Sequence, residues 1–175
     1  MSKKFLVGSF LVILSLSGIA NDEAPFKKKP ISETEASAPN YYLKLGNDVQ
    51  RYAKKFIGTR YRRGGKAANG FDCSGFVIYV FKKFGMKLGA CSTELVKLGY
   101  DVETETAMPG DLIFFRRGTN PKSGVSHVGI VVEYGKNGLK FIHSASSKGV
   151  TVSYLQDKYY SSHFVGVRRV IDCYR

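Results

Sequence analysis

The chain changes its periodicity near the middle, and that change limits the folds open to it. Up to about residue 98 the apolar residues recur at helical spacing. "GNDVQRYAKKFIG" predicts a helix over 47–57 with Val49, Tyr52, Ala53, Phe56 and Ile57 on one face and Gly58 as its stop. "TRYRRGGKAANG" (59–70) reads as a basic, glycine-rich loop. A second helix follows to about Gly85, with Phe76, Val77, Val80, Phe81 and Phe84 on its stripe. Residues 92–98 suit a short helix capped by Ser92. Beyond that point the texture is different. "MPGD" puts Pro109 and Gly110 at the centre of a turn that needs a positive φ in second place. Residues 111–115, 127–134, 139–145, 149–154 and 163–170 are short, β-rich and bounded by turn residues. Helices first and an antiparallel meander second predict an α+β fold.

Residues 1–40 stand outside that pattern. Lys3 and Lys4 precede an apolar run over 5–14, and small residues follow at Gly18 and Ala20. This is the layout of an export signal over 1–20, cleaved after Ala20; the run is short for a membrane span, so membrane contact is expected only where the signal stays uncleaved. Residues 21–40 carry three of the five prolines and few large apolar residues, as a flexible linker would. The domain is therefore expected over 41–175, a monomer exported to the periplasm or the cell-wall space.

Charge narrows the partners. Without the two signal lysines the formal net charge of +13 becomes +11. Export makes nucleic acid a poor partner for that charge and anionic cell-envelope polymers a better one. The three cysteines, Cys73, Cys91 and Cys173, match no zinc spacing, and no metal or other cofactor is expected. In an oxidising envelope Cys91 and Cys173 have the option of pairing; the near-terminal position of Cys173 weighs against it.

Cys73 is the residue that calls for chemistry. Asp72 is placed to cap the second helix, which makes Cys73 its first residue, where unpaired N–H groups and the helix dipole favour a thiolate. A thiol pKa well below the ordinary value of about 8.5 follows as an expectation. A cysteine nucleophile also needs an imidazole base and a polar group to orient it. His127 and His143 lie on consecutive predicted strands joined through "GKNG". Were Lys136–Asn137 the whole loop, the two imidazoles would point to opposite faces of the hairpin. A three-residue loop (135–137) or a bulge would bring them to one face as diagonal neighbours, roughly 7–8 Å apart at the backbone. His163 is the remaining histidine, and no motif surrounds it. Arg116, Arg117 and Lys122 lie in the loop leading to His127, either as solvated charge or as a clamp for substrate carboxylates.

"YRRGG" (61–65), "FDCSGFV" (71–77), "PGDLIFF" (109–115), "HVGIVV" (127–132) and "FIHSASSKGV" (141–150) occur in this order. Together they resemble the NlpC family of bacterial cell-wall cysteine peptidases over about residues 47–170. The resemblance implies a papain-like fold, a helical N-terminal half whose nucleophile helix packs on an antiparallel β-sheet, and hydrolysis of amide bonds in peptidoglycan stem peptides. By motif it makes Cys73 the nucleophile, His127 the base and His143 the orienting residue. It puts Tyr61 near the thiol, to hold substrate or oxyanion, and gives Asp72 and Ser74 a part in binding the substrate's amine end; for Asp72 a purely capping role stands beside that one. One departure is visible: in "GACSTE", Ala90 or Cys91 replaces an arginine that relatives often carry. Two alternatives stay open, a muramoyl-L-alanine amidase with the same chemistry at another bond, and an inactive wall-binding module.

Overall fold

The computed structural model describes residues 39–173. The expected export signal and all but the last two residues of the expected linker lie outside the described residues. The first helix, α1 (Pro39–Lys54), begins well before the predicted start at residue 47. Its apolar stripe extends back through Leu45 and Tyr42, which pack on the core beside Val49 and Ala53. Gly46 is no break in this helix but a point of contact: a Cβ there would lie 1.9 Å from the carbonyl oxygen of Pro109. A few turn-like bonds tighten the chain after Lys54, and Gly58, at φ +89°, ends it as expected.

The basic loop contains a two-stranded hairpin, β1 (Lys66–Ala67) and β2 (Gly70–Phe71), that delivers the chain to α2 (Cys73–Lys83). A single turn, α3 (Ser92–Leu95), follows; its N-cap is Cys91, not Ser92, and it makes no side-chain capping bond. The remaining elements form one antiparallel sheet and the pieces that cover it: β3 (Tyr100–Val102), β4 (Leu112–Arg116), β5 (Val125–Gly135), β6 (Gly138–Ala145), β7 (Gly149–Tyr154), α4 (Lys158–His163) and β8 (Phe164–Arg169).

The sheet order is β3-β8-β4-β5-β6-β7. The predicted meander holds from β4 to β7, but β8 crosses back to pair with β4 and carries β3 on its far side. Residue 163, expected to open the last strand, instead ends α4. The turn before β4 is as predicted, with Gly110 at φ +90°. Asp111, 1% exposed, anchors that turn through the Met108 amide (2.8 Å) and ties β4 to β8 through both Nε and Nη2 of Arg169 (2.9 Å each). Burial pushes its carboxyl up and the guanidinium pulls it back.

Two cores sandwich the sheet. Val77, Val80 and Phe81 of α2 and Val49 and Ala53 of α1 bury Leu112, Phe114, Val128, Ile130 and Ile142 on one face. The other face carries Ile113, Phe115, Val131, Phe141 and Val167, with Tyr160 of α4 packed against them. The two long helices on one face of an antiparallel sheet are the α+β arrangement the periodicity predicts.

Candidate active site

Cys73 is the first residue of α2, and the helix starts there because Asp72 caps it. Asp72 Oδ1 accepts the Gly75 amide at 2.6 Å and the Ser74 hydroxyl at 3.1 Å, while Oδ2 accepts the Gly64 amide at 3.0 Å. One carboxylate thus serves the cap and the glycine-rich loop together. All of these acceptors point into the protein's own backbone and cap, and Ser74 is only 8% exposed. Their hydrogen bonds match the capping role.

The thiol reaches β5 at the main chain on both sides of His127. Its sulfur lies 3.9 Å from the Ser126 carbonyl, and the Val128 amide acts on it from the next residue. Tyr61, held by a bridge to Phe71, is close enough for its phenol to feel both Cys73 and Asp72, and burial raises its pKa first of all.

The imidazoles meet through a detail of the hairpin. The loop is the two-residue one: Gly135 pairs with Gly138 and Tyr134 with Leu139. On its own this register would send the rings to opposite faces. A bulge between Val131 and Glu133 shifts it by one, so that Val131 pairs with Phe141 and Ile130 with Ile142. His127 and His143 then share a face, and their rings stand perpendicular with centroids 4.9 Å apart. His127 Nε2 and His143 Nδ1 are 2.8 Å apart, a full hydrogen bond. Gly129 leaves the space for this: a Cβ there would sit 2.8 Å from Phe141 Cδ2 and 3.2 Å from His143 Cβ.

Behind His143 stand two residues that sequence reasoning missed. His143 Nε2 lies 3.1 Å from Ser153 Oγ and 3.2 Å from Tyr160 OH. Strand parity was a usable signal for Ser153, which pairs with Phe141 on the imidazole face. Nothing signalled Tyr160, because α4 was not foreseen.

Burial dominates the electrostatics. It holds His127 down to about 4 and His143, 1% exposed and facing His127, down to about 3. The thiol goes the other way from the expectation. Desolvation raises the Cys73 pKa, the Asp72 carboxylate raises it further, and the amides of Val128, Ser74 and Cys73 itself only partly offset them. The helix N-terminus is present, but its cap is an anion beside the sulfur and the residue is half-buried.

The remaining histidine, the loop cations and the other two cysteines have partners or positions of their own. His163 stacks on Tyr159 at 4.3 Å and bonds the Tyr159 carbonyl at 2.6 Å. Arg116 donates from Nη2 to the Phe164 carbonyl at 2.7 Å, bracing β4 on β8, whereas Arg117 and Lys122 are exposed. Cys91 and Cys173 are free thiols, so the pairing considered for them is not formed. Among the described residues no cluster of His, Cys, Asp or Glu could hold a metal ion, and no helix is long and apolar enough to cross a membrane.

Comparison with known proteins gives the family and the fold. Residues 58–169 match the NlpC/P60 family. The chain is 38% identical over 161 residues to the probable endopeptidase NlpC of Escherichia coli K12, covering 91% of this chain and 96% of that one. It is 37% identical over 123 residues to the gamma-DL-glutamyl hydrolase of Bacillus subtilis, covering 69% of this chain but only 28% of that longer protein. Among solved structures, the NlpC/p60 domain of the peptidoglycan hydrolase SagA superposes with a TM-score of 0.59 at 30% identity, over 71% of this chain and 98% of that domain. The papain-like fold expected from the motifs is the fold of these relatives.

Proposed function

The chain belongs to the NlpC/P60 family, and from that premise we propose that it is a cysteine hydrolase that cuts amide bonds in peptidoglycan stem peptides in the cell envelope. Cys73 is the nucleophile, His127 the general base and His143 the group that orients it. One observation carries this reading: the thiol lies against the backbone flanking His127, while the far nitrogen of His127 is held 2.8 Å from His143.

In the free protein a raised thiol and a depressed imidazole leave the proton on sulfur. Cys73 therefore attacks as its proton passes to Nδ1 of His127, the nitrogen that His143 does not occupy. The attack forms a C–S bond and puts negative charge on the former carbonyl oxygen. The Cys73 amide at the start of α2 is a donor for that oxyanion, with the Tyr61 hydroxyl a second candidate. His127 then returns the proton to the leaving amine, the C–N bond breaks, and a thioester is left. Water, deprotonated by His127, hydrolyses it and regenerates the thiol. The names of the relatives support the substrate class: one is a peptidoglycan hydrolase, one a gamma-DL-glutamyl hydrolase and one a probable endopeptidase. The formal net charge, +13 for the full sequence and +11 without Lys3 and Lys4, supports work among envelope polyanions.

Digestion of purified muropeptides tests the proposal. Wild-type protein should release fragments whose masses report a new amine within the stem, and Cys73→Ala should release none. A new amine at L-alanine next to muramic acid would make the protein an amidase instead, and an absence of cleavage by reduced wild-type protein would make it a binding module.

A further inference from the structure

The proposed mechanism requires an imidazole of defined tautomer, and the hydrogen bonds behind it determine which tautomer is stable. His127 can take the thiol proton on Nδ1 only if its own hydrogen sits on Nε2. That Nε2–H must then donate to His143 Nδ1, 2.8 Å away, which requires His143 to carry its hydrogen on Nε2. If His143 were protonated on Nδ1, the order would reverse, His127 would carry its hydrogen on Nδ1, and the base would be lost.

Two hydroxyls converge on His143 Nε2: Ser153 Oγ at 3.1 Å and Tyr160 OH at 3.2 Å. One N–H can be shared between two oxygen acceptors, whereas one nitrogen lone pair can take a hydrogen from only one of them. A pair of hydroxyls therefore favours the N–H form. Ser153 also has somewhere to send its own hydrogen, because its Oγ lies 3.4 Å from Tyr160 OH as donor. Aromatic rings pack against this imidazole, with the centroids of Phe141 and Tyr160 4.9 Å and 5.3 Å from its own. Both hydroxyls are neutral, so they orient His143 without placing a charge beside a buried ring.

We infer that Ser153 and Tyr160 are positioning residues that hold His143 in its Nε2–H tautomer and so keep Nδ1 of His127 open to accept the thiol proton. This rests on the function proposed above. Both act through His143. Loss of the partners that orient a metal-bound imidazole typically costs about 10–100-fold, and a comparable cost should appear here in kcat.

The test combines kinetics with 15N-labelled histidine spectra, the spectra taken in a Cys73→Ala background at neutral pH. In the unsubstituted pair both imidazoles should show hydrogen on Nε2. Ser153→Ala and Tyr160→Phe should each lower kcat several-fold, and the double variant about 100-fold, with KM unchanged and His143 moving to the Nδ1–H form or a mixture. Ser153→Thr, which restores the hydroxyl, should keep the wild-type kcat. A double variant with kcat within twofold of wild type, or a His143 that carries its hydrogen on Nδ1 from the start, overturns the inference. Should the double variant fail to fold, the Ser153→Ala and Ser153→Thr pair decides, equal kcat values counting against it. Failure of the wild type to cut muropeptides would remove the proposed function, while the spectra would still decide the tautomer.

Discussion

Replacing Asp72 separates two effects that the structure superimposes on one carboxylate. Asp72→Ala removes the acceptor for the Gly75 amide at 2.6 Å and for the Gly64 amide at 3.0 Å. An N-cap is worth about 1 kcal/mol and a hydrogen bond to a charged group about 1.5–3 kcal/mol. The sum, about 2–4 kcal/mol for this partly exposed site, should lower Tm by roughly 10 °C. Asp72→Asn is gentler: its carbonyl can still cap α2, and only the Gly64 contact turns into a clash of donors. Both changes remove the anion that disfavours the thiolate, so both should move the Cys73 pKa downward. Urea unfolding reads the first effect. The pH dependence of iodoacetamide alkylation reads the second, in a Cys91→Ser, Cys173→Ser background because both of those thiols are exposed. Wild-type alkylation should rise only in the alkaline range, and Asp72→Asn should rise at lower pH. A wild-type profile with its midpoint well below neutrality would refute the reasoning, as would an Asp72→Asn profile that did not move.

Gly129→Ala would drive a Cβ to 2.8 Å from Phe141 and 3.2 Å from His143; overpacking of this kind costs about 1–3 kcal/mol, and kcat should fall further than stability, a wild-type kcat arguing against tight packing behind the imidazoles. Arg116→Ala should cost about 1–2 kcal/mol in urea unfolding through the lost bond to Phe164, and Arg117→Ala within about 0.5 kcal/mol of nothing; the reverse ranking would contradict the bracing role. Desolvation depresses both imidazoles, to about 4 for His127 and about 3 for His143. The unfolded chain therefore binds those protons first, and the stability they contribute is complete above pH about 6.5 and lost as pH falls through 4 towards 3. His143→Asn should flatten that acid limb, and limbs of equal slope would mean the rings are not buried neutral.

The elements that were legible in the sequence are those whose signal is local. The stripe from Phe76 to Phe84 places α2, Asp72 caps it, and Pro109-Gly110 marks the turn before β4. The two imidazoles depended on a register that local signals leave open: the loop length and the bulge trade against each other, and only tertiary packing of Val131 on one face and Val132 on the other selects the bulge. The return of β8 across the sheet and its pairing with β3 are long-range events with no local mark. α1 starts earlier than residue 47, at Pro39, and Gly46 inside it lacks a side chain where the helix meets the Pro109 carbonyl. The thiol runs against the expectation for a physical reason: helix position argues for ionisation, but desolvation and the capping anion act against it, and neither is visible in a motif. Ser153 and Tyr160 went unseen because their importance comes entirely from what stands in front of them.

Acid quenching of the protein during muropeptide turnover, followed by mass analysis of its peptides, addresses the nucleophile itself. A thioester adduct should appear on the peptide containing Cys73, carry the mass of the acyl half of the substrate, and disappear in Cys73→Ala together with turnover. Wild-type rates of cleavage by Cys73→Ala, or an adduct on Cys91 or Cys173 alone, would contradict the assignment.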